Sequence, residues 1–213
     1  MDNYRSTKEK AVTTKTTNTS TNRRTLTPKA TMMPELYSIG HWNYSQERLL
    51  GLLAQHQIES LVDIRRFPGS KKFPHLSQQS LAAALPKAGM EYHWLEALGG
   101  RRRPEKGGPA SLNVGLRNES FRNYADYMLT EEFRQGVKRL LEFAAHKRTA
   151  IMCAEAVFWR CHRRLVSDFL LANGVTVQHI MPSGELHAHT LTSGAKVENG
   201  ELTYPLVAGN SLG

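Results

Sequence analysis

The chain has 213 residues, enough for one domain with a tail, and 40% of them are hydrophobic, enough for a sizeable core. Lys and Arg number 28 against 19 Asp and Glu, a net charge of +9, which favours anionic partners such as nucleic acid, nucleotides, phosphorylated metabolites or an acidic membrane surface. Two cysteines are too few for a disulfide-scaffolded secreted domain, and no apolar run approaches the roughly 20 residues that span a bilayer. No apolar stretch of signal-peptide type follows the N-terminus, so the expected location is cytoplasmic, with no membrane partner.

Residues 1–33 are rich in Thr, Ser, Lys, Arg and Asn and carry no periodic apolar pattern. Such a segment cannot bury enough surface to offset its ordering entropy, which predicts a disordered basic tail. It holds seven basic residues against Asp2 and Glu9, so the remaining chain is only mildly basic. The tail reads either as an arm for nucleic acid or targeting, or more plainly as an unstructured extension or an over-long gene start, given Met32 and Met33; the plainer reading is preferred.

Residues 34–213 read as a single α/β domain. A strand over Leu36–Ile39 ends at Gly40 and His41, and residues 45–56 form an amphipathic helix with Leu49, Leu50, Leu52 and Leu53 inward. A second strand covers 60–65, a helix 77–88 and a short strand 90–94. The segment 98–117 is a long loop of Gly, Arg and Pro, and loops of that length in compact domains are usually functional or disordered. Residues 118–146 are helical, split in two; 149–153 is a buried strand; a helix runs from about Cys161 to Asn173 and is closed by Gly174; 175–180 is a further strand. The C-terminal stretch reads as irregular, with a strand near 202–206. Apolar strands alternating with helices predict a mostly parallel sheet with helices on both faces.

In open parallel sheets ligands bind beyond the carboxyl ends of the strands, and the unusual polar residues fall at those ends: Gly40-His41, Asp63 with Arg65, Gly99-Gly100-Arg101, Cys153-Ala154-Glu155 and His179. The richest stretch is Cys153-Ala154-Glu155 followed by Cys161-His162-Arg163 at a helix start. A thiol at a helix N-terminus beside Arg163 and Arg164 has a depressed pKa. The catalytic set is therefore Cys161 as nucleophile, His162 as proton shuttle, Glu155 as acid or base, and Cys153. The substrate-binding set is Arg163, Arg65, Asp63, Gly40, His41, Gly99, Gly100 and Arg101, with the arginines as anion clamps. Each residue also has a plainer role: Cys161 and Cys153 as small core residues, Glu155 as a helix cap or partner of Arg163, His162 as the holder of a nearby carbonyl.

Cys153, Cys161 and His162, with a fourth ligand from His41, His179 or His189, form a minority metal reading, since the spacing is not that of a zinc finger or ribbon. No cofactor and no metal are otherwise expected. The basic Gly99–Lys106 loop can contact phosphates or a single strand, or be a solvated loop. Gly107-Gly108 lacks the Lys-Ser/Thr of a P-loop, which excludes that kind of NTPase.

Tyr37-Ser38-Ile39-Gly40-His41, Leu61-Val62-Asp63-Ile64-Arg65 with Pro68 and Ser70, Leu98-Gly99-Gly100, Cys153-Ala154-Glu155 with Cys161-His162-Arg163, and His189-Thr190-Leu191-Thr192 resemble, in order and spacing over about residues 36–195, the domain-of-unknown-function family 488. The resemblance implies an α/β domain sharing these motifs and brings no activity with it. Phe158 departs from the pattern, where Pro is expected. The Asp63-x-Arg65 strand also resembles rhodanese domains, although the Cys loop does not match, so sulfur transfer stays an alternative. The expected function is an enzyme acting on a phosphate-bearing substrate, a nucleotide or nucleic acid. The rivals are a non-catalytic nucleic-acid-binding module using the tail and the 98–106 loop, and a zinc-bound structural site.

Overall fold

The computed structural model describes residue 1 and residues 35–206 apart from 70, 105, 106 and 199; the expected tail at 1–33 lies outside these but for Met1. Five parallel strands, β1 (Glu35–Gly40), β2 (Ser60–Asp63), β3 (Glu91–Trp94), β4 (Thr149–Cys153) and β5 (Thr176–Ile180), are joined by a sixth, antiparallel strand, β6 (Leu186–Ala188), in the order β3-β2-β4-β1-β5-β6. The parallel register sets Gly40 opposite Cys153 and Asp63 opposite Met152. The carboxyl ends of β1, β4 and β2 therefore occupy three adjacent positions on one rim.

Alternate side chains of the strands feed two cores. Tyr37, Ile39, Leu61, Ala150 and Met152 pack with Leu49, Leu52 and Leu53 of α1 (Gln46–Gln55) and Leu81 of α2 (Gln78–Ala84). Leu36, Val62, Ile151 and Val177 pack on the other face against α3 (Glu119–Tyr127), α4 (Glu131–Ala144) and α5 (Arg163–Ala172). The mainly parallel sheet covered on both faces is the architecture the alternating pattern predicts, since strands buried on both sides must be apolar throughout. Side chains open four of the helices: Ser45, Ser77, Asn118 and Thr130 each accept a first-turn backbone N–H.

Boundaries differ in places. The helix expected over 77–88 stops at Ala84 because Pro86 starts a separate 3-10 turn. Helix α5 begins at Arg163 rather than Cys161, because Phe158–Arg160 forms its own 3-10 turn and Cys161 is extended. Its end is as expected: Gly174 is left-handed at φ 80°, the Val175 amide donates to Leu170 and the Gly174 amide to Leu171. The C-terminal stretch is more regular than its sequence suggests, with β6 and a hairpin of β7 (Lys196–Glu198) and β8 (Glu201–Thr203). Among the described residues no helix is long and apolar enough to cross a membrane.

Gly40 closes β1 directly against the segment that follows β4. A Cβ at this position would overlap the backbone carbonyl of Glu155 and crowd that of Ala156. Overpacking of a backbone contact cannot be relieved by a side-chain rotation. Gly40→Ala is expected to lower unfolding free energy by at least about 2 kcal/mol in a urea titration; an unchanged midpoint would contradict this packing.

Candidate functional site

Three backbone segments converge at the rim. The amide of His41 donates to the carbonyl of Cys153 at 3.0 Å and that of Trp42 to Ala154 at 2.9 Å, so the chain leaving β1 zips onto the chain leaving β4. The 3-10 turn at Phe158–Arg160 then delivers Cys161 and His162 to the start of α5. His162 Nδ1 lies 3.5 Å from Cys161 Sγ and 3.8 Å from Cys153 Sγ. Its Nε2 lies 3.0 Å from the carbonyl oxygen of Ile64, just past β2. A carbonyl only accepts, so Nε2 carries a hydrogen and Nδ1 is the nitrogen left to exchange a proton with the sulfurs.

The imidazole is held on its faces as well. Tyr124 meets it edge-on with ring centres 5.1 Å apart. Gly100 lies so close that a Cβ there would come within 2.8 Å of Nδ1. The loop that begins at Gly99 therefore lies over the site only because residue 100 lacks a side chain. Both cysteines are nearly closed off, with 8% of Cys153 and 3% of Cys161 exposed.

The two thiols are driven apart electrostatically. Burial pushes the Cys161 thiol up, but the Cys153 S–H, His162 and the Arg163 guanidinium together outweigh it and hold Cys161 well below the usual range. Cys153 is pushed well above it, first because its S–H is given to Cys161 and then by burial. The thiolate thus belongs to Cys161 and the proton to Cys153, the division expected of an activated thiol with a donor beside it.

Arg163 is fully buried, yet its Nη donors are spent on the protein itself. Nη1 donates to Ser38 Oγ at 3.1 Å, and Nη2 donates to the carbonyls of Glu155 at 2.6 Å and Ala156 at 3.4 Å. Among the described residues Arg163 has no carboxylate in ion-pair range and its Nε has no partner. It is a clamp on the loop after β4 and a source of positive field. The pairing of Arg163 with Glu155 runs through the backbone carbonyl, and the Glu155 carboxylate is exposed.

Asp63 and Arg65 form a second buried unit. Arg65 Nε donates to both oxygens of Asp63 at 2.8 and 3.0 Å, and Tyr92 Oη donates to Asp63 at 2.7 Å. Arg65 Nη1 donates to the Leu76 carbonyl at 2.9 Å and to His41 Nε2 at 3.0 Å. His41 accepts there and donates from Nδ1 to the Trp42 carbonyl, so it is a neutral link; burial and then Arg65 lower its pKa to about 4. Gly99 fits against Arg66, where a Cβ would meet the backbone at 2.7 Å. Arg101 is exposed and left-handed at φ 57°, its carbonyl accepting from Arg66.

Sequence reasoning missed a third unit. His189 Nε2 lies 2.9 Å from Asp168 Oδ1, His179 Nε2 lies 3.0 Å from His189 Nδ1, and Ser38 Oγ lies 2.8 Å from His179 Nδ1. A carboxylate only accepts, so His189 donates to Asp168; with both rings neutral the other donors follow in turn: His179 to His189, Ser38 to His179, and Arg163 to Ser38. The chain links the buried cation of Arg163 to the buried anion of Asp168, which Tyr204 Oη also caps at 2.7 Å. Phe158 stacks on His179 with ring centres 3.6 Å apart. Asp168 lies mid-helix, and no local signal marks it; only the His189 motif pointed here.

Cys153, Cys161 and His162 are the one group among the described residues that could hold a metal ion, their donor atoms all within 4.8 Å. His41, His179 and His189, offered by sequence as a fourth ligand, are engaged elsewhere. One cavity of about 500 Å³ is lined by Arg103, Leu112, Asp126 and Tyr127, and neither thiol lines it.

Against known proteins, the model of a family described as domain of unknown function DUF488 matches residues 45–170. That span carries Asp63, Arg65, Gly99, Gly100, Cys153, Cys161 and His162. No curated protein and no solved structure matches the chain.

Burial, and then the nearby His189 and Arg163, lower the pKa of His179 to about 2, so His41 and His179 are both neutral in the fold. Unfolded histidine titrates near ~6.5. Between the folded and unfolded values the unfolded chain binds protons that the folded chain does not, so stability is full above ~6.5 and is lost as pH falls. Each group is expected to add a slope approaching about 1.4 kcal/mol per pH unit. Urea titrations at pH 7 and pH 5 should show a smaller pH difference for His179→Gln than for the parent; an identical difference would contradict a neutral buried His179.

Proposed function

The chain belongs to the DUF488 family, and we propose that its site is a thiol-based catalytic centre acting on a phosphate-bearing substrate, a nucleotide or nucleic acid. One observation carries the reading: His162 presents Nδ1 to two sulfurs while its Nε2–H is tied to a backbone carbonyl. An imidazole oriented by a third group, beside a thiol, is the general arrangement of an activated nucleophile. Cys161 is the nucleophile and His162 its proton partner. With its proton already on Nδ1, the Cys161 thiolate attacks the electrophilic centre; the bond from that centre to the leaving group breaks, and the leaving group departs with the proton from Nδ1. Water then resolves the covalent intermediate with His162 acting in reverse.

Other residues act on this pair in different ways. Cys153 donates its S–H to the thiolate, and Arg163 supplies field while it fixes the loop at Glu155 and Ala156. Asp63, Arg65 and His41 stiffen the rim rather than reach outward, since their polar atoms are bonded to one another. For the same reason the likeness of Asp63-x-Arg65 to rhodanese domains lends no support to sulfur transfer. The exposed Glu155 carboxylate and Arg101 are the predicted site residues free to meet substrate.

A second reading, a thiolate-bound zinc ion, is favoured by the spacing of the same atoms. Tetrahedral zinc at about 2.3 Å from sulfur and about 2.05 Å from nitrogen separates those ligands by about 3.6 Å, close to the 3.5 and 3.8 Å found here. The Nε2–H to carbonyl bond is also the usual outer support of a metal-bound imidazole. Zinc bound there would polarise a water or substrate oxygen in a fourth position.

One experiment separates the two. On reduced, chelator-washed protein, iodoacetamide at neutral pH is expected to modify Cys161 ahead of Cys153, with the rate falling at least about tenfold in His162→Gln. Added cobalt should give no sulfur-to-metal charge-transfer absorption if the nucleophile reading holds. Inert thiols with stoichiometric cobalt absorption would establish the metal reading, and inert thiols without it would sink both.

A further inference from the structure

The rim that carries the thiols also presents aromatic rings to solvent. Trp42 follows β1 and is 53% exposed, Phe67 follows β2 and is 63% exposed, and Trp159 lies between β4 and α5 and is 46% exposed. β2, β4 and β1 are neighbours in the sheet, so their ends span about 10 Å. Single exposed apolar residues are ordinary, but three large rings carried by the segments that leave three adjacent strands on one rim mark a ligand face.

The rings are interleaved with cationic side chains. Arg66 lies over the Phe67 ring at 5.7 Å, Arg160 is next to Trp159 in sequence and exposed, and Arg101 is exposed on the loop above His162. Among the described residues, Glu96 and Glu155 are the exposed acids of these same loops. Trp42 is turned outward at a conformational cost: its backbone is left-handed at φ 43° and is pinned there by bonds to Ala154 and from His41. Bulky residues occupy that region only where their surroundings impose it.

Alternating aromatic faces and cations are the surface that stacks unpaired bases and tracks their phosphates. A duplex hides its base faces, and a small anion needs no rings. We propose that this rim binds an unpaired nucleic-acid strand, with bases stacked on Trp42, Phe67 and Trp159 and phosphates met by Arg66, Arg101 and Arg160. The proposal rests on the phosphate-bearing substrate class put forward above and names the form that substrate takes.

The test uses the full chain and a fluorescein-labelled oligothymidylate of about 12 nucleotides. Titration is expected to quench tryptophan emission, with tighter binding than to a duplex of the same length. Trp42→Ala, Phe67→Ala and Trp159→Ala, all exposed positions, should each weaken binding by roughly 5- to 100-fold. Arg101→Gln should weaken it and lower the salt slope by about one. Equal binding by the parent and the triple aromatic variant, preference for duplex, or equal quenching by thymidine monophosphate would overturn the proposal. The iodoacetamide assay reads the thiols independently: a reactive Cys161 without strand binding leaves the catalytic reading standing, and strand binding with an inert Cys161 leaves the rim standing alone.

Discussion

A single buried cation organises this site. Arg163 reaches from the first turn of α5 to Ser38 on β1 and to the carbonyls of Glu155 and Ala156 after β4. Together with the bond from His162 Nε2 to the Ile64 carbonyl, those bonds fix the turn that carries Cys161 and His162 against the sheet. A buried guanidinium without a carboxylate beside it is costly, and the fold offsets that cost in two ways. The Ser38–His179–His189 chain passes donors in one direction to the Asp168 anion, and the nearby thiol gains from being charged. Structural stability and thiol activation thus share one charge.

The same arrangement explains why the site is closed around its sulfurs. A thiolate near a cation and an imidazole keeps most of its advantage when water is excluded, because the attraction strengthens as the local dielectric falls. Gly40 and Gly100 make the closure possible, each lying where a Cβ would strike the Glu155 carbonyl or the His162 ring. Access to Cys161 then falls to the loop after Gly99 and the turn at Phe158–Arg160, the segments that bear the exposed Arg101, Trp159 and Arg160. Chemistry and recognition belong to the same pieces of chain.

Much of this was legible in the sequence, and the rest was hidden for physical reasons. Apolar strands alternating with amphipathic helices read directly as a parallel sheet with two covered faces. Cys153, Cys161 and His162 stood out as a motif at a strand end and the next helix start, but whether the two sulfurs meet was not legible, because the intervening turn at Phe158–Arg160 sets it. What local patterns could not reveal was which polar atoms face which. Arg65 and Arg163 read as anion binders, but most of the donors of both go to carbonyls, carboxylate, hydroxyl or imidazole within the fold. Asp168 was invisible because its partners, His189, Thr192 and Tyr204, all lie far along the chain beyond β6. Of the hairpin, only a strand near 202–206, overlapping β8, was legible; β7 escaped because three residues are too short for a period-2 pattern to register.

The central claim is that Cys161 is a thiolate at neutral pH, held so by His162 and Arg163 against the effect of its own burial. The most direct measurement is ultraviolet thiolate absorbance against pH on reduced, metal-free protein, for the parent chain and for Cys161→Ser. The parent is predicted to lose one thiolate on acidification, with a midpoint well below the ~8.5 of an ordinary thiol, and Cys161→Ser to lose none in that range. A parent chain whose thiolate absorbance develops only above that ordinary value would contradict the account.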